Sequence, residues 1–311
     1  MQKMKRNIQE KYIDIIGLPM DLGADRRGVD MGPSALRIAG IEQKLKAIGY
    51  QVSDKGDILL ESKETQKITN PNLKYLDEIV RASEILAEKT ENSLENEHFP
   101  FCIGGDHSIA LGSIAGISSY CRKKNLTLGV IWIDAHSDMN TEETTPSGNI
   151  HGMPMAASLG LGNSQLVNLM GFSPKIRPEN CALIAIRSID KLEKKNIRSV
   201  NVPVYTMTDI DRRGAYNVID EVLYALKDRV DHIHVSFDID SVDPTVAMGV
   251  GTLVQGGLTY RETHIIMETI AERGGMGSMD IAEINPILDH KNESAEFASE
   301  IAASIMGKRI L

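Results

Sequence analysis

The chain has 311 residues, 42% of them hydrophobic, 25% charged and 5% aromatic, a globular composition with enough apolar side chains for a sizeable core. A formal net charge of −9 argues against nonspecific attraction to nucleic acid or to an anionic membrane, and it suits a cationic small molecule. The first eleven residues are polar and charged, so no signal peptide is expected, and no apolar run approaches the ~18 residues of a membrane span.

Residues 12–18 are short, apolar and β-branched and read as a buried strand. Pro33 and Ser34 open a helix that closes near Gly49, with proline early and glycine late. Residues 59–72 are polar and read as a mobile surface loop, and 73–94 as a long helix. A strand over 99–103 is stopped by Gly104-Gly105 and followed by a helix to about Lys124, and 126–133 is the next strand. A long polar loop and a short helix lead to strands at 182–186 and 202–205, with a helix between them. A helix over 209–227 precedes a strand at 232–237. A helix at 259–272, a strand at 277–284 and a helix at 294–306 follow. Repeated strand–helix units imply parallel strands covered on both faces, an α/β fold. With no linker, repeat or low-complexity tract, residues 1–311 are expected to form one domain. Cys102, Cys121 and Cys181 are widely spaced and form no CxxC pair, which reads as buried, reduced thiols in a cytoplasmic protein.

The polar clusters fall at the ends of predicted strands. GGDHS (104–108) follows one strand, DAHSD (134–138) the next, FDID (237–240) ends a third and Glu283 ends a fourth. Open parallel sheets bind ligands beyond the carboxyl ends of their strands, so these distant clusters can meet on one rim. Asp134, His136 and Asp138 alternate and point to one face while the chain stays extended, and Asp238 and Asp240 repeat the arrangement. A lone Asp-rich loop would read as turns and helix caps. Two such clusters, with His107 on the same rim, point instead to metal. Four converging carboxylates carry about −4, which cannot persist without compensation. Two divalent cations about 3.5–4 Å apart, bridged by shared carboxylates, supply it. Oxygen and imidazole donors without thiolate favour a hard ion such as Mn²⁺, with Co²⁺, Fe²⁺ and Zn²⁺ still open. Water between two such ions ionises near neutral pH and becomes a nucleophile.

Other histidines divide by context. His232 and His234 share the face of Asp238, but at ~3.3 Å per residue His234 lies roughly 13 Å back along the strand. Both are expected as hydrogen-bonded core residues, and His98, His264 and His290 as surface residues. His151, in SGNIHG, closes the loop that begins at DAHSD and is placed to shuttle protons or protonate a leaving amine.

With these residues assembled, the chain resembles the arginases of the ureohydrolase family. The resemblance runs from GVDMGPSALR (28–37) through GGDHS, DAHSDMNT, TTPSGNIHGMP, SFDIDSVDP, GVGT and GGLTYRE to EINP (283–286). It implies a three-layer fold with a parallel sheet of about eight strands. It implies one Mn²⁺ on His107, Asp134, Asp138 and Asp238 and another on His136, Asp134, Asp238 and Asp240. Hydrolysis of L-arginine to L-ornithine and urea by a metal-bridging hydroxide follows, with Asp138 and His151 handling protons and Glu283 facing the guanidinium. The resemblance places Asn140, Thr145, Ser147 and Asn149 at the α-carboxylate, Asp190 and Glu193 at the α-amino group, and Thr252 among the substrate contacts. It also implies a homo-oligomer, trimer or hexamer. Ser188 departs from the family pattern, standing where animal arginases have an aspartate. A ureohydrolase acting on agmatine or guanidinobutyrate, and a noncatalytic arginine-binding regulator, are the alternatives.

Overall fold

The first apolar run forms β1 (Tyr12–Leu18), buried from its second residue onward. A computed structural model describes residues 12–309, so the leader read as free of a signal peptide lies outside the described residues. The helix expected over 33–49 is two, α1 (Gly32–Ile38) and α2 (Ile41–Ala47), because Gly40 turns left-handed at φ 78°. β2 (Gln51–Asp57) is a strand that no apolar pattern announces. It is exposed along almost its whole length, an edge strand paired among the described residues to β1 alone, and Arg37 grips it through Asp54 and Asp57 (both 2.7 Å).

α3 (Leu76–Glu95), β3 (Phe99–Gly104), α4 (Ile109–Lys123) and β4 (Leu128–Ile133) follow. Then come the short helices α5 (Pro154–Ser158) and α6 (Ser164–Val167), β5 (Cys181–Ile186), α7 (Glu193–Val200) and β6 (Val204–Thr206). Gly214, at φ 81°, divides the helix expected over 209–227 into α8 (Met207–Arg213) and α9 (Ala215–Leu226). β7 (His232–Asp238), α10 (Tyr260–Arg273), β8 (Met276–Ala282) and α11 (Glu293–Ile305) complete the order. Residues 59–72 lie at the surface, where Lys63 Nζ donates to the carbonyls of Asp21 and Ala24.

All eight strands run parallel in one sheet ordered β2-β1-β3-β8-β7-β4-β5-β6. Alternate residues feed opposite faces. Along β4, Ile131 and Ile133 join a core built with α9, α10 and α11, while Val130 and Trp132 pack on the other face against α4. That is the three-layer α/β/α arrangement. The middle of the order positions the site: β3, β8, β7 and β4 are neighbours, and all four polar clusters leave their carboxyl ends on one rim.

His232 and His234 are buried in β7, their Nε2 and Nδ1 atoms 2.8 and 3.1 Å from Ser278 Oγ. His264 corrects its expectation. It is buried against Phe297 of α11, with Nδ1 2.8 Å from Ser304 Oγ. The three cysteines are buried and unbridged. Among the described residues, no helix is long and apolar enough to cross a membrane.

Candidate metal centre

Beyond β4 the backbone does not stay extended, which corrects the alternating-face argument for Asp134, His136 and Asp138. Asp134 Oδ1 accepts the backbone N–H of His136 (2.6 Å), closing a turn on its own chain, and Asp138 is left-handed at φ 48°. Asp238 Oδ1 does the same for the N–H of Asp240 (2.7 Å), within a 3₁₀ turn over Ile239–Ser241. Each turn uses one carboxylate oxygen and presents the other to His107. Oδ2 of Asp134, Asp238 and Asp138 lie 3.0, 3.1 and 3.2 Å from His107 Nδ1. His136 Nδ1 lies 3.0 Å from Asp240 Oδ2 and 3.5 Å from Asp134 Oδ1. His107, Asp134 and Asp238 thus form one possible ligand group and Asp134, His136 and Asp240 a second, with Asp134 in both.

A buried shell fixes these groups. Trp132, the single tryptophan, donates Nε1–H to Asp134 Oδ2 (2.9 Å) and stacks on the His107 ring at 4.1 Å. His107 Nε2 meets Ser236 Oγ (2.9 Å), which donates to Asp280 Oδ1 (2.6 Å). Thr252 Oγ1 donates to Asp240 Oδ2 (2.9 Å).

Charge crowding shows in the ionisation of the acids. Burial and the neighbouring Asp134 push the Asp138 carboxyl up to about 7, and burial with Asp240 and Asp134 raises Asp238 well above the usual range. Burial would also raise Asp134, but hydrogen bonds from His107 and His136 carry it below. Burial works against the imidazolium of both histidines, and the surrounding carboxylates overcome it and raise them. A cluster that must keep protons on its ligands at neutral pH is short of positive charge. Its oxygen and ring-nitrogen donors, with no thiol, fit two hard divalent cations.

Above the cluster is a cavity of about 210 Å³. His107, His136, Asp138, Asp238 and Asp240 line it, as do His151 and the predicted contacts Asn140, Thr145, Ser147, Asn149, Asp190, Glu193 and Thr252. No lysine or arginine is among the described residues that line it. Asp134 lies fully buried, outside the lining. Glu283 is buried too, behind His151, in a left-handed conformation (φ 68°) held by its N–H on the Gly105 carbonyl (2.7 Å). Its Oε1 accepts the N–H of His107 (3.0 Å) and faces His151 Nδ1 (2.8 Å), while Oε2 has no partner among the described residues. Burial disfavours the His151 imidazolium, yet the Glu283 charge lifts it to about 9. Glu283 itself is lowered, its burial outweighed by His151.

The outer residues are more tied than their expected roles suggest. Glu193 accepts from Ser137 Oγ (2.5 Å) and from the N–H groups of Met139 (2.9 Å) and Asp190 (2.8 Å), so both its oxygens are engaged. Asn140 donates to Asp190 Oδ2 (3.0 Å), and Asn149 Oδ1 accepts from Lys74 Nζ (3.0 Å). Thr145 Oγ1 accepts the N–H of Gly148 (2.9 Å), and Ser147 Oγ that of Asn149 (3.2 Å). Sequence reasoning assigned no role to Trp132, Ser236 or Asp280. The tryptophan two residues before DAHSD was a usable signal, whereas nothing local marks the buried Ser236–Asp280 pair.

The family model described as Arginase family matches residues 11–307. An arginase of Bacillus subtilis (strain 168) is 49% identical over 303 residues, covering 97% of this chain and 100% of that one. The native structure of arginase from Bacillus caldovelox superposes with a TM-score of 0.92 at 47% identity, over 96% of this chain and 99% of its own. An Entamoeba histolytica arginase solved in complex with L-ornithine gives 0.89 at 33% identity, over 97% and 100%. The matched span runs from the start of β1 past the end of α11 and encloses every residue of the cluster, so the chain belongs to the arginase family.

Proposed function

We propose that this protein hydrolyses L-arginine to L-ornithine and urea, with one catalytic domain spanning residues 1–311. The observation that carries the reading is Asp134, shared between two ligand groups beside an acidic cavity with no lysine or arginine among the described residues that line it. Held by His107, Asp134, Asp138 and Asp238 at one position and by His136, Asp134, Asp238 and Asp240 at the other, two divalent ions would supply an ionised water and offset the carboxylate charge.

The chain's own residues account for the rest. Asp138, a carboxylate lining the cavity beside the cluster, takes up the nucleophile's proton. His151, kept as the imidazolium by Glu283, returns one to the departing amine, and with Nδ1 engaged its Nε2 is the donor. Glu283 is the carboxylate we assign to the guanidinium: its Oε2 has no partner among the described residues, and because it lies behind the cavity wall the contact requires this side chain to turn toward the substrate. Asn140, Thr145, Ser147 and Asn149 offer neutral donors to the α-carboxylate. Asp190 faces the α-ammonium, with Glu193 anchoring that loop, and Thr252 holds Asp240. The L-ornithine bound to the Entamoeba relative supports the product class. Manganese is the ion we assign, supported by the oxygen-and-imidazole donor set. A trimer or hexamer fits the exposed Ile38, Leu59 and Ile287, and unbridged cysteines fit the cytoplasm.

The test is urea release from L-arginine by Mn²⁺-loaded protein beside Asp134→Ala, His151→Asn and agmatine as substrate. Turnover is expected to vanish in Asp134→Ala and to fall at least about tenfold in His151→Asn and with agmatine. Full activity in Asp134→Ala sinks the reading, and equal use of agmatine sinks the carboxylate assignment.

A further inference from the structure

Beside the first ligand stands an acid that the reaction above does not use. Asp106 is fully buried, and its two oxygens accept two backbone N–H groups, Oδ2 that of Gly23 (2.7 Å) and Oδ1 that of Ser108 (3.0 Å). The Gly23 carbonyl accepts the N–H of His151 (3.1 Å). His151 Nδ1 reaches Glu283 Oε1 (2.8 Å), and that oxygen also accepts the N–H of His107, the residue after Asp106 (3.0 Å). These contacts close a ring through Asp106, Gly23, His151, Glu283 and His107. Gly23 fits because it lacks a side chain: a Cβ there would lie 2.1 Å from Ser108 Oγ and 2.8 Å from Asp106 Oδ1.

We infer that Asp106, acting through the backbone of Gly23, is a positioning residue for His151, setting how far the imidazole reaches into the cavity. The inference rests on the reading of His151 as the proton donor. Glu283 anchors the ring at Nδ1 and Gly23 anchors the backbone, and a ring fixed at both points has one direction left for Nε2. Two buried donors need two acceptor oxygens. An asparagine offers one and turns its NH₂ against the other N–H, so the Gly23 loop must shift. A shift near 1 Å at a catalytic group costs on the order of 100-fold.

The experiment compares Mn²⁺-loaded wild type, Asp106→Asn, His151→Asn and the double variant for kcat, KM for L-arginine and bound Mn²⁺. Asp106→Asn is expected to lower kcat roughly 10- to 100-fold with KM within about twofold and full metal content. Placed on His151→Asn, it should cost less than about twofold more, since there is no imidazole left to aim. Gly23→Ala displaces the same loop with the carboxylate intact and should behave alike; it carries the same comparison if Asp106→Asn does not fold. Wild-type kcat in Asp106→Asn, or losses that multiply in the double variant, overturn the assignment. So does loss of metal from Asp106→Asn, which would make it a support of the His107 turn. Wild-type kcat in His151→Asn alone would instead refute the parent reading.

Discussion

Loading the centre with metal should expel a countable number of protons. In the metal-free ligand set His107 and His136 are raised by their carboxylate neighbours, Asp238 is raised by burial and its acidic neighbours, and the Asp138 carboxyl sits at about 7, so protons remain on the ligands in the neutral range. Each must leave before its lone pair can bind a cation, so uptake of two ions releases protons, with Asp138 alone giving up about half of one at pH 7. The bound form is the deprotonated one, so affinity is lost as pH falls. By linkage, the combined affinity for the two ions rises with pH, about tenfold per unit for each proton released. Above pH 8 Asp138 is already ionised and adds no further proton to the release. The assay is calorimetric titration of chelator-stripped protein with MnCl₂, at pH 7 and 8, in two buffers of different ionisation enthalpy; the difference in heat counts the protons. Two ions bound with no proton released, or an affinity indifferent to pH, would refute the picture of a charge-starved cluster.

Three further outcomes follow from single contacts. Glu283→Gln removes the charge that lifts His151 to about 9, so the imidazolium should be lost at lower pH and the alkaline limb of the kcat profile should move down by about one unit or more; an unmoved limb counts against the pair. In Gly251→Ala the new Cβ lies 2.8 Å from Glu283 Oε2 and must push the carboxylate aside, so kcat/KM should fall about tenfold while the melting temperature stays nearly constant. Asp280→Ala strips acceptors from Ser236, Ser113 and His234 in a fully buried network, and urea unfolding should show a loss of about 3–5 kcal/mol.

How far the sequence foretold this molecule depends on where each residue finds its partner. β3, β4, β7 and β8 are buried on both faces, so near-continuous apolar runs mark them, and the polar residues that interrupt those runs mark the rim. β2 is an exposed edge whose Ser53, Asp54 and Lys55 carry no such mark, and the breaks at Gly40 and Gly214 depend on backbone angles that periodicity does not encode. Asp106 finds its partner 83 residues away, on the backbone of Gly23, where residue type leaves no trace.

The metal ligands were legible for a partly mistaken reason. Turn-making and metal-holding are not rivals: an aspartate has two oxygens, and Asp134 closes its turn with Oδ1 while presenting Oδ2 to the cluster. The two roles can be separated. Asp134→Asn can keep the turn with its amide oxygen but loses the charge, whereas Asp134→Ala loses both. Compared without metal, both variants leave the Trp132 Nε1–H without its Oδ2 acceptor, and Asp134→Ala should be less stable than Asp134→Asn by about 1 kcal/mol for the missing turn bond. Compared with metal, both should bind fewer than two ions. If the two variants unfold alike when stripped, the turn bond contributes nothing of its own, and the bent DAHSD backbone would have to be attributed to the metal alone.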